Sequence, residues 1–325
     1  MNIFQMVKAY GGMVFGKTDY WHPDMKANPA LSPGNIGKYP VDMSSKASYI
    51  GVFDEGQIPM VEIDGHLSYL PVTIAQYALG HYDAYLETGK RTHLEVLLLC
   101  ADWFVERLVE SVPGVWGWLN EHDKDIYALK SPWLSALSQG QALSVLARAY
   151  VETQDEKYLH CGERSLKAFS VPVADGGLVA QLQGEDFYEE YPSVIPSYVL
   201  NGLIFALWGL WDFYLAGKNA QARERYATGL QTLQHHLGRY DRGWLRWSLY
   251  DRYPFRIADI ASIFYHKLHI QQLRAMSRLT GDERFNVLAE RWEKGRNSRW
   301  RYILATAFKI LHKLSIRRQS SYVAK

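Results

Sequence analysis

The stretch Tyr85-Leu-Glu-Thr-Gly-Lys, residues 85–90, returns in altered form as Tyr150-Val-Glu-Thr-Gln-Asp, Tyr214-Leu-Ala-Gly-Lys-Asn and Ser277-Arg-Leu-Thr-Gly-Asp. Each copy joins two amphipathic stretches. Aligning Gly89, Gln154, Gly217 and Gly281 gives spacings of 65, 63 and 64 residues. A period of that size fits one αα-hairpin and one long loop per repeat. The aligned residue is read as the left-handed cap that ends the first helix of each hairpin. Apolar residues then recur at helical spacing, as in Leu94, Leu97, Leu98, Ala101, Phe104, Val105 and Leu108. The expected fold is mainly α, an α/α toroid built of αα-hairpins. An open solenoid is the competing architecture, and it suits unit loops of such different lengths less well.

Outside the repeats the chain changes character twice. Residues 1–70 form an arm punctuated by Pro23, Pro29, Pro33 and Pro40, with a short β-hairpin expected from Tyr49-Ile-Gly-Val-Phe and Pro59-Met-Val-Glu-Ile. The repeats occupy 71–295. Residues 296–325 read as a basic amphipathic helix, with Trp300, Ile303, Leu304, Ala307, Phe308, Leu311 and Leu314 on one stripe flanked by Arg301, Lys309, Lys313 and Arg317. Such a helix can lie on an anionic membrane face or contact a glycosyltransferase, or it can dock on its own domain or a second subunit.

Net charge is +2, but nine of the 36 Lys and Arg lie from Lys294 onward with no acid among them. The rest of the chain holds 27 basic against 34 acidic residues. A body that is acidic overall meets a polyanion through a local basic groove and not through its general field, so nucleic acid is not an expected partner. Hydrophobic residues make up 48% of 325 and aromatics 14%, with 22 Tyr and 11 Trp. That excess of rings serves a large helical core, a carbohydrate groove in which rings stack on sugar faces, or both. Met1–Gly12 carries no signal-peptide pattern, no stretch is apolar enough to span a bilayer, and Cys100 and Cys161 suggest no disulfide framework. A cytoplasmic setting, free or at the inner membrane face, is the expectation.

The candidate chemistry lies in Tyr188-Glu-Glu-Tyr-Pro-Ser-Val-Ile-Pro-Ser-Tyr-Val-Leu-Asn-Gly-Leu, which runs on into the apolar stretch ending at Tyr214. Acids and phenols at the mouth of a buried helix can move protons on a sugar. Duller readings stand beside this one. Acids before a helix favour its dipole, and a tyrosine in so aromatic a chain usually packs. His266 and His269, at i and i+3, suit core or substrate contacts better than a metal, since no third ligand is evident. His235 and His236 are adjacent and read as surface residues pointing apart. Asn201 suits a loop hydrogen bond.

The run from Tyr188 resembles the C-terminal domain of D-glucuronyl C5-epimerases. Three further segments carry the likeness: Tyr69–Tyr82, Pro132–Tyr150 with its Ser-Gln-Gly-Gln core around Gln139, and Tyr250-Asp251 followed by Tyr265-His266, His269 and Gln272. There are departures. The large sheet region that precedes the barrel in animal members is nearly absent, and Arg252-Tyr253-Pro254 stands where the family has Leu-Arg-His. The resemblance implies a C5-epimerase of glucuronate residues in a heparosan-like anionic polysaccharide, working without cofactor or metal, as a homodimer. By resemblance, Glu190 and Tyr265 flank the sugar, with Tyr191 and Tyr250 as supporting phenols. It further implies that Arg252, Arg256, His266 and His269 supply positive charge, with Gln139, Asn201 and Tyr188 near the substrate. A polysaccharide lyase or glycosidase on the same toroid, or a non-catalytic scaffold of a polysaccharide export assembly, are the alternatives.

Overall fold

A computed structural model describes residue 20 and residues 22–323, with side chains as far as residue 316. The Met1–Gly12 segment and the side chains of Arg317, Arg318 and Lys325 lie outside the described residues. The chain is mainly helical with three small antiparallel sheets. The helices pair as hairpins: α1 (Pro71–Thr88) with α2 (Arg91–Glu106), α3 (Ala136–Thr153) with α4 (Lys157–Ser165), α5 (Leu200–Gly217) with α6 (Ala220–His236), and α7 (Ile263–Thr280) with α8 (Glu283–Arg296). A final helix, α9, spans Arg299–Val323. No described helix is long and apolar enough to cross a membrane.

Local chemistry explains the boundaries. Pro71 opens α1, where its missing N–H costs no hydrogen bond. Ser135, Asn219, Ser262 and Asp282 accept a backbone N–H at the starts of α3, α6, α7 and α8. Left-handed caps close α1, α3, α5 and α7 at Gly89, Gln154, Lys218 and Gly281. The third cap therefore falls at Lys218 and not at Gly217, which is the last helical residue of α5. The sequence alignment was off by one there because a glycine next to the true cap attracted the assignment.

The first helices of the hairpins stack side by side and run parallel. Tyr82 in α1 bonds Glu152 in α3, and Gln76 bonds Gln141. Between α3 and α5 the backbones nearly touch at Gly140 and Gly209, where an added Cβ on Gly209 would sit 1.8 Å from the Gly140 carbonyl oxygen. Further along, the buried Arg148 meets Asp212 at 2.6 Å. Trp208 of α5 packs on Met276 of α7, and Gln272 donates to the Asn201 carbonyl. These contacts make an inner layer of α1, α3, α5 and α7, an order compatible with the expected toroid.

The arm completes this layer. Its Ala27 N–H donates to Gln271 on α7, and the backbone N–H groups of Tyr39 and Met43 donate to Asp83 on α1. Tyr39, Val41 and Met43 are fully buried within the main core. The expected hairpin is present as β1 (Val52–Phe53) and β2 (Pro59–Ile63), extended by β3 (His66–Ser68). The other strands, β4 (Val109–Val112) with β5 (Val115–Gly117) and β6 (Val179–Leu182) with β7 (Glu185–Tyr188), lie in the long loops between hairpins.

With the inner helices parallel, the tight left-handed turns gather at one end of the stack and the long loops, which carry the candidate residues, at the other. Replacing Gly209 by alanine forces α3 and α5 apart and should lower unfolding free energy by about 3 kcal/mol, read from urea denaturation.

Candidate active site

Two loops and two helix starts meet at the loop end of the stack. The segment after β7 supplies Glu189, Glu190 and Tyr191, the start of α5 supplies Asn201, the stretch before α7 supplies Tyr250, and the first turn of α7 supplies Tyr265. The two glutamates diverge. Glu189 is fully buried and accepts the Ser197 hydroxyl and the N–H groups of Ser197 and Tyr198, so it shapes the loop. Glu190 turns the other way, into the space left by the absent side chain of Gly202, whose added Cβ would lie 2.5 Å from Glu190 Oε2.

There Glu190 accepts Asn201 Nδ2 at 3.2 Å and the Tyr250 hydroxyl at 3.5 Å. The Tyr250 and Tyr265 rings meet edge to face at 4.6 Å, and Val199 and Ala261 pack beside Tyr250, Tyr191 and Tyr265. Tyr191 stacks on Tyr127 at 4.6 Å and leans on Trp133. Burial raises Glu190 to about 7, and hydrogen bonding from Tyr191 and the Lys124 charge only partly oppose it. Glu189 rises to about 7, also by burial. Burial and the Glu190 charge push the phenols of Tyr250 and Tyr265 up, so both are protonated near neutrality.

The expected cations are not the ones found here. His266 is fully buried, stacked on Trp247 at 3.9 Å, and held between Ser248 and the Trp292 carbonyl. His269 binds the same Ser248 hydroxyl at 2.9 Å. Burial holds His266 well below the usual imidazole range and His269 at about 3, so both are neutral. Arg252 and Arg256 are exposed, and Arg252 donates to the Arg239 carbonyl. Lysines take the place of these groups. Lys124 Nζ stands 5.1 Å over the Tyr191 ring, and Lys309 Nζ stands 5.7 Å over that of Tyr250. Burial lowers Lys124 and Lys313, and for Lys313 the neighbouring Lys309 adds to the effect.

Other predicted positions serve structure. Tyr188 is fully buried, donating to the Arg225 carbonyl and packing on Phe169. Gln139 is buried and donates to the Trp118 carbonyl. His235 and His236 do not point apart, since both reach Glu185, at 2.6 and 2.9 Å. Tyr127, Lys124 and Lys309 were missed because none lies in the segments that carry the chemical pattern. A signal for Tyr127 was its place in an aromatic and charged loop before Trp133.

The sequence profile of the D-glucuronyl C5-epimerase C-terminus matches residues 114–294, which contain this entire tyrosine and glutamate cluster. The chain belongs to the D-glucuronyl C5-epimerase family. It is 31% identical over 222 residues to D-glucuronyl C5-epimerase of Caenorhabditis elegans, covering 62% of this chain and 35% of that protein. An uncharacterised protein of Methanocaldococcus jannaschii is 34% identical over 181 residues, covering 54% of this chain and 57% of its own length. The chain thus spans less than two thirds of either relative. Epimerases of this family are isomerases, and the four candidate residues Glu190, Tyr191, Tyr250 and Tyr265 all fall within the matched segment.

Glu190 has a consequence for stability. Its folded value, about 7, lies above the ordinary 4.5, so between those limits the folded protein holds a proton that the unfolded chain has released. Stability should therefore fall as pH rises across that window. Denaturation midpoints taken at about pH 5 and about pH 7.5 should differ less in Glu190→Gln than in the parent.

Proposed function

We propose that the protein converts D-glucuronate to L-iduronate residues within a heparosan-like polysaccharide by C5 epimerisation. The observation that carries this reading is Glu190, a buried carboxylate raised to about 7 that accepts the Tyr250 hydroxyl and Asn201, among phenols that stay protonated. Removal of the proton α to a carboxylate requires a base whose pKa lies close to the working pH. Return of a proton to the opposite face requires an acid, which a neutral phenol supplies.

Glu190 as carboxylate takes H5, and the electron pair left on C5 delocalises into the uronate carboxylate as an enediolate. Tyr265 donates its hydroxyl proton to C5 from the other face, which restores the carboxylate and inverts the centre. Glu190 then carries one proton more and Tyr265 one fewer. Tyr250, whose hydroxyl bonds Glu190 and favours the ionised form of Tyr265, passes that proton back in this scheme. Charge on the enediolate needs fixed positive groups aimed at the site. The ammonium groups of Lys124 and Lys313 have no ion pair or hydrogen bond among the described residues and fit that need better than the neutral histidines.

Incubation of the protein with heparosan and N-sulfated heparosan in D₂O tests the proposal. Proton NMR should show loss of the glucuronate H5 signal and growth of iduronate. Glu190→Gln and Tyr265→Phe should each slow the exchange by about 10²–10⁴-fold while leaving the fold intact. Unsaturated uronate, seen as new ultraviolet absorbance, would identify a lyase that shares the deprotonation and then expels the C4 substituent. Absence of H5 exchange in any glucuronate polymer would overturn the proposal.

A further inference from the structure

The family profile ends at residue 294, yet α9, which begins at Arg299, reaches the tyrosine cluster. From the sequence, Lys309 belongs to the basic flank of a surface helix. In the structure it is 7% exposed and ion-paired with Asp259, which is buried further still. One turn further along, the fully buried His312 places Nε2 3.3 Å from the same carboxylate and Nδ1 2.7 Å from the Ile257 carbonyl, to which Nδ1–H donates. Ala305 anchors the helix in a small core with Leu245, Trp247 and Ile260. The face that docks is thus Ala305, Lys309 and His312, while Trp300, Ile303, Leu304 and Leu311 face outward.

Asp259 is itself joined to Tyr250. Its carbonyl accepts the Tyr250 N–H at 2.8 Å, and the Tyr250 carbonyl accepts the first N–H of α5 at 3.2 Å. Position therefore passes from α9 to Asp259, to Tyr250, and to the helix that carries Asn201 and the Gly202 recess for Glu190. Charge passes more directly, through the 5.7 Å approach of Lys309 Nζ to the Tyr250 ring. Burial without partners would be costly for an ammonium, so the placement needs Asp259 and a nearby electron-rich ring to hold it.

We propose that Lys309 is a positioning residue of the active site, which holds the Tyr250–Asp259 segment in place and supplies the fixed positive charge beside the Tyr250 phenol. This rests on the epimerase reading given above. The groups that share the neighbourhood are Glu190, Tyr191 and Lys124 from the loops, Tyr127, Tyr265 of α7, Asp251, and His312 and Lys313 of α9. Among them Asp251 is raised by burial and by the Asp259 charge, whereas Asp259 is held low by His312 and Lys309. The acid pair thus carries its negative charge on Asp259, the partner of Lys309.

Full-length Lys309→Met, Lys309→Arg and Asp259→Asn test the assignment. H5 exchange in D₂O is followed against pH, and amide hydrogen exchange is followed over residues 248–262. Lys309→Met should slow H5 exchange at least tenfold, move the ionisation limb up by about one pH unit, and loosen the Tyr250–Asp259 amides. Lys309→Arg should restore the limb. Asp259→Asn leaves the cation without its counter-charge and should move the limb down, while loosening the same amides. A limb that stays put in all three variants, or moves the same way in Met and Asn, would overturn the charge role. Unchanged amide exchange would overturn the positioning role. If the parent protein exchanges no H5, the epimerase reading fails by itself, and the amides still decide whether α9 holds this segment. Should Lys309→Met not fold, Asp259→Asn and Lys309→Arg carry the same comparison.

Discussion

Glu190 is buried with no cation in contact among the described residues, and the rest of the site follows from that constraint. A carboxylate taken out of water favours its neutral form, and its remaining interactions here are an amide, phenols and a lysine at some distance. Full compensation by an arginine would hold the group ionised and remove its capacity to accept and keep a proton near neutrality. No compensation would leave it protonated throughout. Tyr191 and the Lys124 charge, helped by the weak donors Tyr250 and Asn201, set the balance between these extremes, and Gly202 gives the side chain the room to occupy it.

The helical frame allows such a group to be held. Parallel inner helices direct their N-terminal ends, with exposed N–H groups and the positive end of the dipole, toward the long loops. Asn201 lies in the first turn of α5 and Tyr265 in that of α7, while Ser135 caps α3 on the same side. The opposite end is closed by tight left-handed turns at Gly89, Gln154, Lys218 and Gly281. The close approach of α3 and α5 at Gly140 and Gly209 fixes the spacing of the layer, and the buried Arg148–Asp212 pair ties it to the arm through the Gly37 carbonyl.

Much of this was legible in the chain. The 65-, 63- and 64-residue spacings disclosed the hairpins because each needs a left-handed residue after its first helix, and the error at Gly217 amounts to one position. Glu190, Tyr191, Tyr250 and Tyr265 lie together, and each sits in a motif that the sequence displays. Burial was not legible. Periodicity cannot tell that Lys309 turns inward and Ile303 outward, because both lie near the boundary of the same stripe. Nor can it tell that His266 and His269 share one serine hydroxyl and stay neutral, since that depends on Ser248 arriving from another loop.

The exchange of arginine and histidine for lysine changes how charge is delivered. Arginine stays protonated in almost any surroundings, whereas the ammonium of lysine shifts readily with its environment. In the free protein burial lowers Lys124 and Lys313, and neither has an acid in hydrogen-bond contact among the described residues. An arriving carboxylate reverses that effect, since an opposite charge at close range favours the ionised form. On the proposed reading, the substrate's own anion therefore strengthens the cations that its enediolate will need, while Lys309 stays paired with Asp259. Two of these three lysines come from α9, which lies beyond the segment that defines the family. The unit that carries the chemistry then extends past the epimerase domain, and α9 belongs to it as much as the hairpins do.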